Sequence, residues 1–189
     1  MTRAGRRQWF NFAWYQALWF TAVAGGPPLT AALLLLLVVH LLWVDCWRSE
    51  VVLMLGCALP GCVVDSLLTH FGVFVFDPLP AAAPIPLWLV TIWLGFAGTL
   101  RHSLRWLSAR PRLMAALAGI GAPLTYLAAA RLGAVSFPLG ALGTGLLVGA
   151  VWLALSLWLC WLTGQAVAWQ AEHRNAPSTH SLKEIDHAH

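Results

Sequence analysis

Charge is scarce in this chain. Only 10% of its 189 residues are charged, and just seven are acidic, where soluble domains carry roughly 25% charged residues. With 60% hydrophobic residues and a mean hydropathy of +0.74, a soluble globule is excluded. A nucleic-acid surface of interleaved basic patches is missing too. Catalytic signatures are equally absent. There is no H-E-x-x-H for an intramembrane zinc protease and no G-x-S-x-G nucleophile elbow. Neither G-x-x-x-x-G-K-[ST] nor G-x-G-x-x-G stands at a strand-to-helix turn, so nucleotide binding has no support. The four cysteines form no C-x-x-C pair and read as small apolar packing residues. Outside the C-terminal tail only His40, His70 and His102 occur, too few for a membrane di-iron enzyme. His70 lies five positions from Asp65, about 140° round a helix, which disfavours a metal site on that segment. The sequence assigns no metal ligands and leaves cofactor and enzymatic activity open.

What is present is a series of apolar segments. Six are long enough for a hydrocarbon core of about 30 Å, which takes some 17–25 helical residues. They fall near 9–26, 28–45, 51–73, 86–105, 113–132 and 138–168. The expected fold is therefore all-α, a polytopic bundle of six transmembrane helices over residues 1–169. A polar tail, 170–189, with four histidines reads as disordered. The first segment imitates a signal peptide that ends in Ala22-Val23-Ala24, but its Trp-rich run with Asn11 and Gln16 makes a poor signal core, so it reads as a retained helix. Arg3, Arg6, Arg7, Arg48, Arg101, Arg105, Arg110, Arg112, Arg174 and Lys183 collect on one side of this topology. By the positive-inside rule both termini are cytoplasmic, in a bacterial inner membrane. Only Arg131 stands on the other side. Small residues at Gly145-x-x-x-Gly149, Gly119, Gly121 and Gly95-x-x-x-Thr99 mark close helix contacts, read first as intramolecular. Pro60 and Pro123 should kink the third and fifth segments.

Asp65 is the anomaly. It lies in GCALPGCVVDSLLTHFGVF, about 21 Å from the inner edge of its span. A carboxylate at that depth costs a few kcal/mol, about 2.5–3.5 on insertion scales, and is functional or paired. Tyr126, Trp152, Trp93 and Thr91 share its level. Arg131 sits about 6 Å further out and leans back along its helix toward Asp65. An Asp65–Arg131 pair would explain both exceptions if the third and fifth segments are neighbours. Asp65 thus reads as a structural anchor, as a ligand, ion or proton site, or as a catalytic acid or base. A second polar level, nearer the inner face, holds Asn11, Gln16, His40, Arg101 and His102. Arg101 and His102 are placed to snorkel to headgroups, and His40 to be a satisfied structural histidine.

Several stretches together resemble a family of small bacterial inner-membrane proteins catalogued as a domain of unknown function. They are Asn11-Phe12 with Trp14-Tyr15, Asp65, Pro86-x-Trp88 running to Trp93, Phe96-Ala97-Gly98-Thr99-Leu100, Gly121-Ala122-Pro123-Leu124-Thr125-Tyr126, and Arg131-Leu132-Gly133-Ala134. The resemblance covers roughly residues 8–165. It implies an inner-membrane bundle with a loose link to lipid metabolism, and it carries no catalytic residues across. The sequence supports three functions. One is a pocket for a lipid or small hydrophobic ligand, near Asp65, Tyr126, Arg131, Trp93, Trp152 and Thr91. Another is a substrate-binding or transport subunit with a partner membrane protein. The third is a scaffold whose polar groups are purely structural.

Overall fold

The computed structural model describes residues 2–77 and 83–175. It is all-α. In chain order the helices are α1 (Arg3–Gly25), α2 (Thr30–Trp43), α3 (Trp47–His70), α4 (Leu87–Ala97), α5 (Arg105–Ser108), α6 (Pro111–Arg131) and α7 (Gly140–Asn175), with a 3₁₀ turn at Pro27–Leu29 before α2. Three of them are long and apolar enough to cross a membrane: α3, α6 and the Gly140–Trp169 part of α7. Pro27–Trp43 and α4 are apolar but shorter. Leu42, Leu142, Ile120, Leu124 and Leu59 lie exposed on the outside of the bundle, an apolar surface that water does not tolerate at this extent. These are the marks of a multi-pass membrane protein.

Each helix buries one stripe. On α1 the buried positions are Asn11, Trp14, Leu18, Trp19, Ala22 and Val23, and on α3 they run Ser49, Glu50, Leu53, Met54, Cys57, Ala58, Gly61, Asp65. Both follow the three-to-four-residue spacing of one helical face. Small residues set the closest approaches. A Cβ on Gly149 would stand 2.8 Å from the Gly119 carbonyl oxygen, so α6 and α7 meet backbone to backbone, as the small-residue pattern predicts within one chain. Pro60 and Pro123 both lie inside their helices, α3 and α6. α4 packs against α3 and α1, while α6 packs chiefly on α7. At the far end an isolated bridge joins Val75 to Ser136.

The fourth expected span departs from prediction. Residues 86–105 do not form one helix: α4 stops at Ala97 after 11 residues, about 16 Å of rise, roughly half a hydrocarbon core. The cause is tertiary. The fully buried Asn11 side chain donates to the Gly98 carbonyl at 3.0 Å and accepts from the Ser103 N–H at 3.2 Å and its Oγ at 2.6 Å. The hydroxyls of Thr99 and Ser108 donate to the carbonyls of Phe96 and Leu100. Side chains thus satisfy the backbone that an unwound segment would leave orphaned. α7 runs past residue 169 to Asn175. Residues 176–189, with His180, His187 and His189, lie outside the described residues, as does 78–82 of the Pro-rich loop.

Candidate functional site

Two buried carboxylates organise the interior, both on α3. Asp65 is 1% exposed. Its Oδ2 accepts the Trp93 indole N–H at 2.7 Å, and the Tyr126 hydroxyl donates to the same carboxylate at 2.8 Å from Oδ1 and 2.9 Å from Oδ2. α3, α4 and α6 therefore converge on one side chain. Gly61, one turn before Asp65 on the same face, makes this feasible: a Cβ there would lie 2.4 Å from Trp93 ring atoms. The missing side chain lets the indole lie flat against α3. Trp93 stacks on Trp152 of α7 (5.0 Å between centroids, 10° between planes), and Tyr126 stacks on the fully buried Phe74 (5.0 Å, 19°). Two neutral donors, an indole N–H and a phenol O–H, thus answer the carboxylate.

Of the pocket residues expected from sequence, Asp65, Trp93, Tyr126 and Trp152 come together. Thr91 is buried but turns its hydroxyl back to the Trp88 carbonyl at 2.7 Å. Arg131 does not join the group. It is exposed, and no ion pair joins it to Asp65 among the described residues. α6 presents Tyr126 to Asp65 and Arg131 to the outside. His70 is exposed at the end of α3, edge-on to Phe71.

Beside this cluster lies a cavity of about 270 Å³ between α1 and α4 on one side and α6 on the other. Tyr15, Trp19, Trp88, Trp93, Met114, Gly121, Ala122, Tyr126 and Trp152 are among its lining residues. Ligand pockets run about 300–1,000 Å³ and are mostly apolar, so this one is at the small end. Trp93 and Tyr126 direct their polar atoms to Asp65, and the Thr125 hydroxyl donates to the Gly121 carbonyl at 2.9 Å. The wall they form is consequently apolar.

The second carboxylate is Glu50, at the opposite end of α3 and 2% exposed. Its Oε1 lies 3.1 Å from His40 Nε2 and 3.1 Å from His102 Nε2, and its Oε2 is 3.3 Å from the Arg101 guanidinium. His40, Arg101 and His102 of the predicted second polar level thus meet, though on a residue that level did not include. Arg101 and His102 do not simply snorkel outward; the unwound run after α4 delivers both to α3. Asn11 belongs to this level as the clamp of that run, whereas Gln16 is half-buried and makes no hydrogen bond to it. Glu50 falls one residue outside the span expected at 51–73, beside Arg48, where charge ordinarily marks a loop. The signal that could have found it is the α3 stripe, since Glu50 continues the spacing of Met54, Cys57, Ala58, Gly61 and Asp65 by one more turn.

No curated protein and no solved structure matches the chain. One family does, described as a protein of unknown function, DUF2878, over residues 8–164. This interval includes both carboxylate clusters, the Asn11 clamp and the cavity, and the chain belongs to the DUF2878 family.

Proposed function

We propose that the protein is an inner-membrane component that takes an apolar molecule, foremost the acyl chain of a lipid, into the cavity between α1, α4 and α6. The observation that carries this reading is the cavity itself, about 270 Å³, walled chiefly by aromatic and aliphatic side chains, with the polar atoms of Trp93, Tyr126 and Thr125 bonded to Asp65 and to the Gly121 carbonyl. A polar ligand would meet few polar partners there, while an apolar one entering from the bilayer loses nothing on leaving lipid and gains close packing against the wall. In this reading the Asp65–Trp93–Tyr126 cluster holds the wall in shape rather than binding the ligand's head. In this reading both termini face the cytoplasm, as the positive-inside rule assigns from the sequence positions of the cationic residues other than Arg131, and the shorter apolar helices cross as parts of the bundle.

The test is a plug. Gly121 lines the cavity, and a Cβ there meets nothing within 4 Å, so Gly121→Phe can start a bulky side chain at the cavity wall. Protein extracted in mild detergent should carry a retained apolar mass by native mass spectrometry, reduced at least tenfold in Gly121→Phe. Equal retention in both proteins, or none in either, overturns the reading.

A further inference from the structure

The Glu50 cluster lies outside the cavity and gathers three side chains of metal-ligating type. Three side chains from three separate segments converge: His40 from α2, Glu50 from α3 and His102 from the turn after α4. Their donor atoms all lie within 4.8 Å of one another. Both imidazoles aim Nε2 at the same oxygen, Glu50 Oε1, at 3.1 Å each. At 3.1 Å each contact fits an ordinary N–H···O bond, and it also fits the roughly 2.8–3.6 Å that separates neighbouring ligands about 2.0–2.2 Å from a shared metal in octahedral or tetrahedral geometry.

The rings are held in place from outside. Trp14 stacks on His40 (4.4 Å, 18°) and anchors its own N–H on the Leu36 carbonyl at 2.8 Å. His102 stands edge-on to His40 (5.4 Å, 87°), against Trp43 (5.7 Å). Room beside the His40 donor atom depends on a glycine, because a Cβ on Gly98 would lie 2.9 Å from Nε2. Arg101 bonds the other oxygen, Oε2, the outer-sphere position that orients a ligating carboxylate. The side chain of His102 is 25% exposed and that of Arg101 14%. The cluster therefore opens at the end of the bundle, where a hydrated ion can reach it and a second positive charge is tolerated.

We propose that His40, Glu50 and His102 form a binding site for a divalent first-row transition metal, with two imidazoles and one carboxylate as protein ligands. That donor set suits Zn²⁺ or Fe²⁺ over the hard cations, which prefer all-oxygen sites. The test uses the full chain with His173, His180, His187 and His189 changed to alanine, so that tail histidines contribute nothing. After EDTA treatment and dialysis against Zn²⁺, this protein should retain about one equivalent by elemental analysis, and Zn²⁺ should raise its Tm. His102→Asn keeps a polar, partly exposed side chain and should bind at least tenfold more weakly, with the Tm response lost. Gly98→Ala removes no ligand but crowds Nε2 of His40, and should also weaken binding. A readout that needs no further variant is the Cu²⁺ paramagnetic resonance spectrum of this tail-substituted protein, where two imidazoles give resolved nitrogen coupling. Retention well below one equivalent, unchanged affinity in His102→Asn, or a Cu²⁺ spectrum without nitrogen coupling would each overturn the site and leave a hydrogen-bond network only.

Discussion

Gly61→Ala should be among the most damaging single-methyl additions to this protein. The new Cβ would stand 2.4 Å from two Trp93 ring atoms, where ordinary contact begins at 3.4 Å, so the indole must retreat by about 1 Å. It has nowhere to go. Trp93 is 2% exposed and stacked on Trp152. A retreat of that size also stretches its 2.7 Å bond to Asp65 beyond hydrogen-bonding distance. Overpacking costs about 1–3 kcal/mol. A lost bond to a carboxylate adds about 1.5–3 kcal/mol in proteins generally, and about 0.6 kcal/mol on average between membrane helices. The better helix propensity of alanine returns about 1 kcal/mol. The net loss is about 1–5 kcal/mol.

Gly121→Ala is the control. It gains the same propensity and meets open space, so it should be neutral or up to about 1 kcal/mol stabilising. Unfolding by SDS in lipid micelles, followed by tryptophan fluorescence, measures both. Trp93→Leu in the Gly61→Ala background removes the clashing ring, and the pair should couple by more than about 1 kcal/mol. If Gly61→Ala stays within about 0.5 kcal/mol of the parent, the close fit of Trp93 on α3 is wrong, and with it the geometry of the Asp65 cluster.

Arg131→Gln should change stability by less than about 0.5 kcal/mol in the same SDS titration, because the side chain is exposed and does not pair with Asp65; a loss above about 2 kcal/mol would restore the ion pair. Asn11→Ala leaves the Gly98 carbonyl and the Ser103 N–H without their partner, at about 2–4 kcal/mol. Hydrogen exchange across 98–104 should rise in that variant, and unchanged protection there would mean that Asn11 is not the clamp. Tyr126→Phe keeps the stack on Phe74 and removes one donor from Asp65. It should cost about 1–2 kcal/mol and speed the exchange of a fluorescent acyl probe, whereas a variant with unaltered exchange would detach the cluster from the cavity.

The apolar segments were legible because hydropathy and helical spacing are local properties. Asp65 was legible because a carboxylate in such a run is an exception. Its partners were read half correctly: counting residues placed Tyr126, Trp93 and Trp152 at its depth, yet depth says nothing of direction round a helix. That is why Arg131 looked as plausible as Tyr126. The break after Ala97 could not be read locally, since Phe96 to Trp106 carries no proline and only one clear helix breaker, Gly98. A side chain 87 positions away ends that helix. Glu50 was missed because a charge beside Arg48 at the end of a span is ordinarily solvated, and its burial depends on His40 and His102, which are 62 positions apart.

The two carboxylates also explain how a cavity can persist in a bundle this small. Glu50 and Asp65 are 15 residues apart, about 22 Å along α3 and about 60° round it, so both face the same neighbour. That neighbour answers both: α4 supplies Trp93 to Asp65, and its unwound continuation supplies Arg101 and His102 to Glu50. With α3 and α4 fastened at two separated levels, sliding or rotating one against the other breaks polar contacts that lipid cannot replace. α1 is tied to the same unit through Asn11. α6 differs. It packs chiefly on α7 and meets α1 and α4 across the cavity, and the Tyr126–Asp65 bond ties it to the fixed unit. The fold thus divides into a pinned wall of α1, α3 and α4 and a second wall, α6 on α7, tied to the first by the Tyr126–Asp65 bond, the Trp93–Trp152 stack and the Val75–Ser136 bridge.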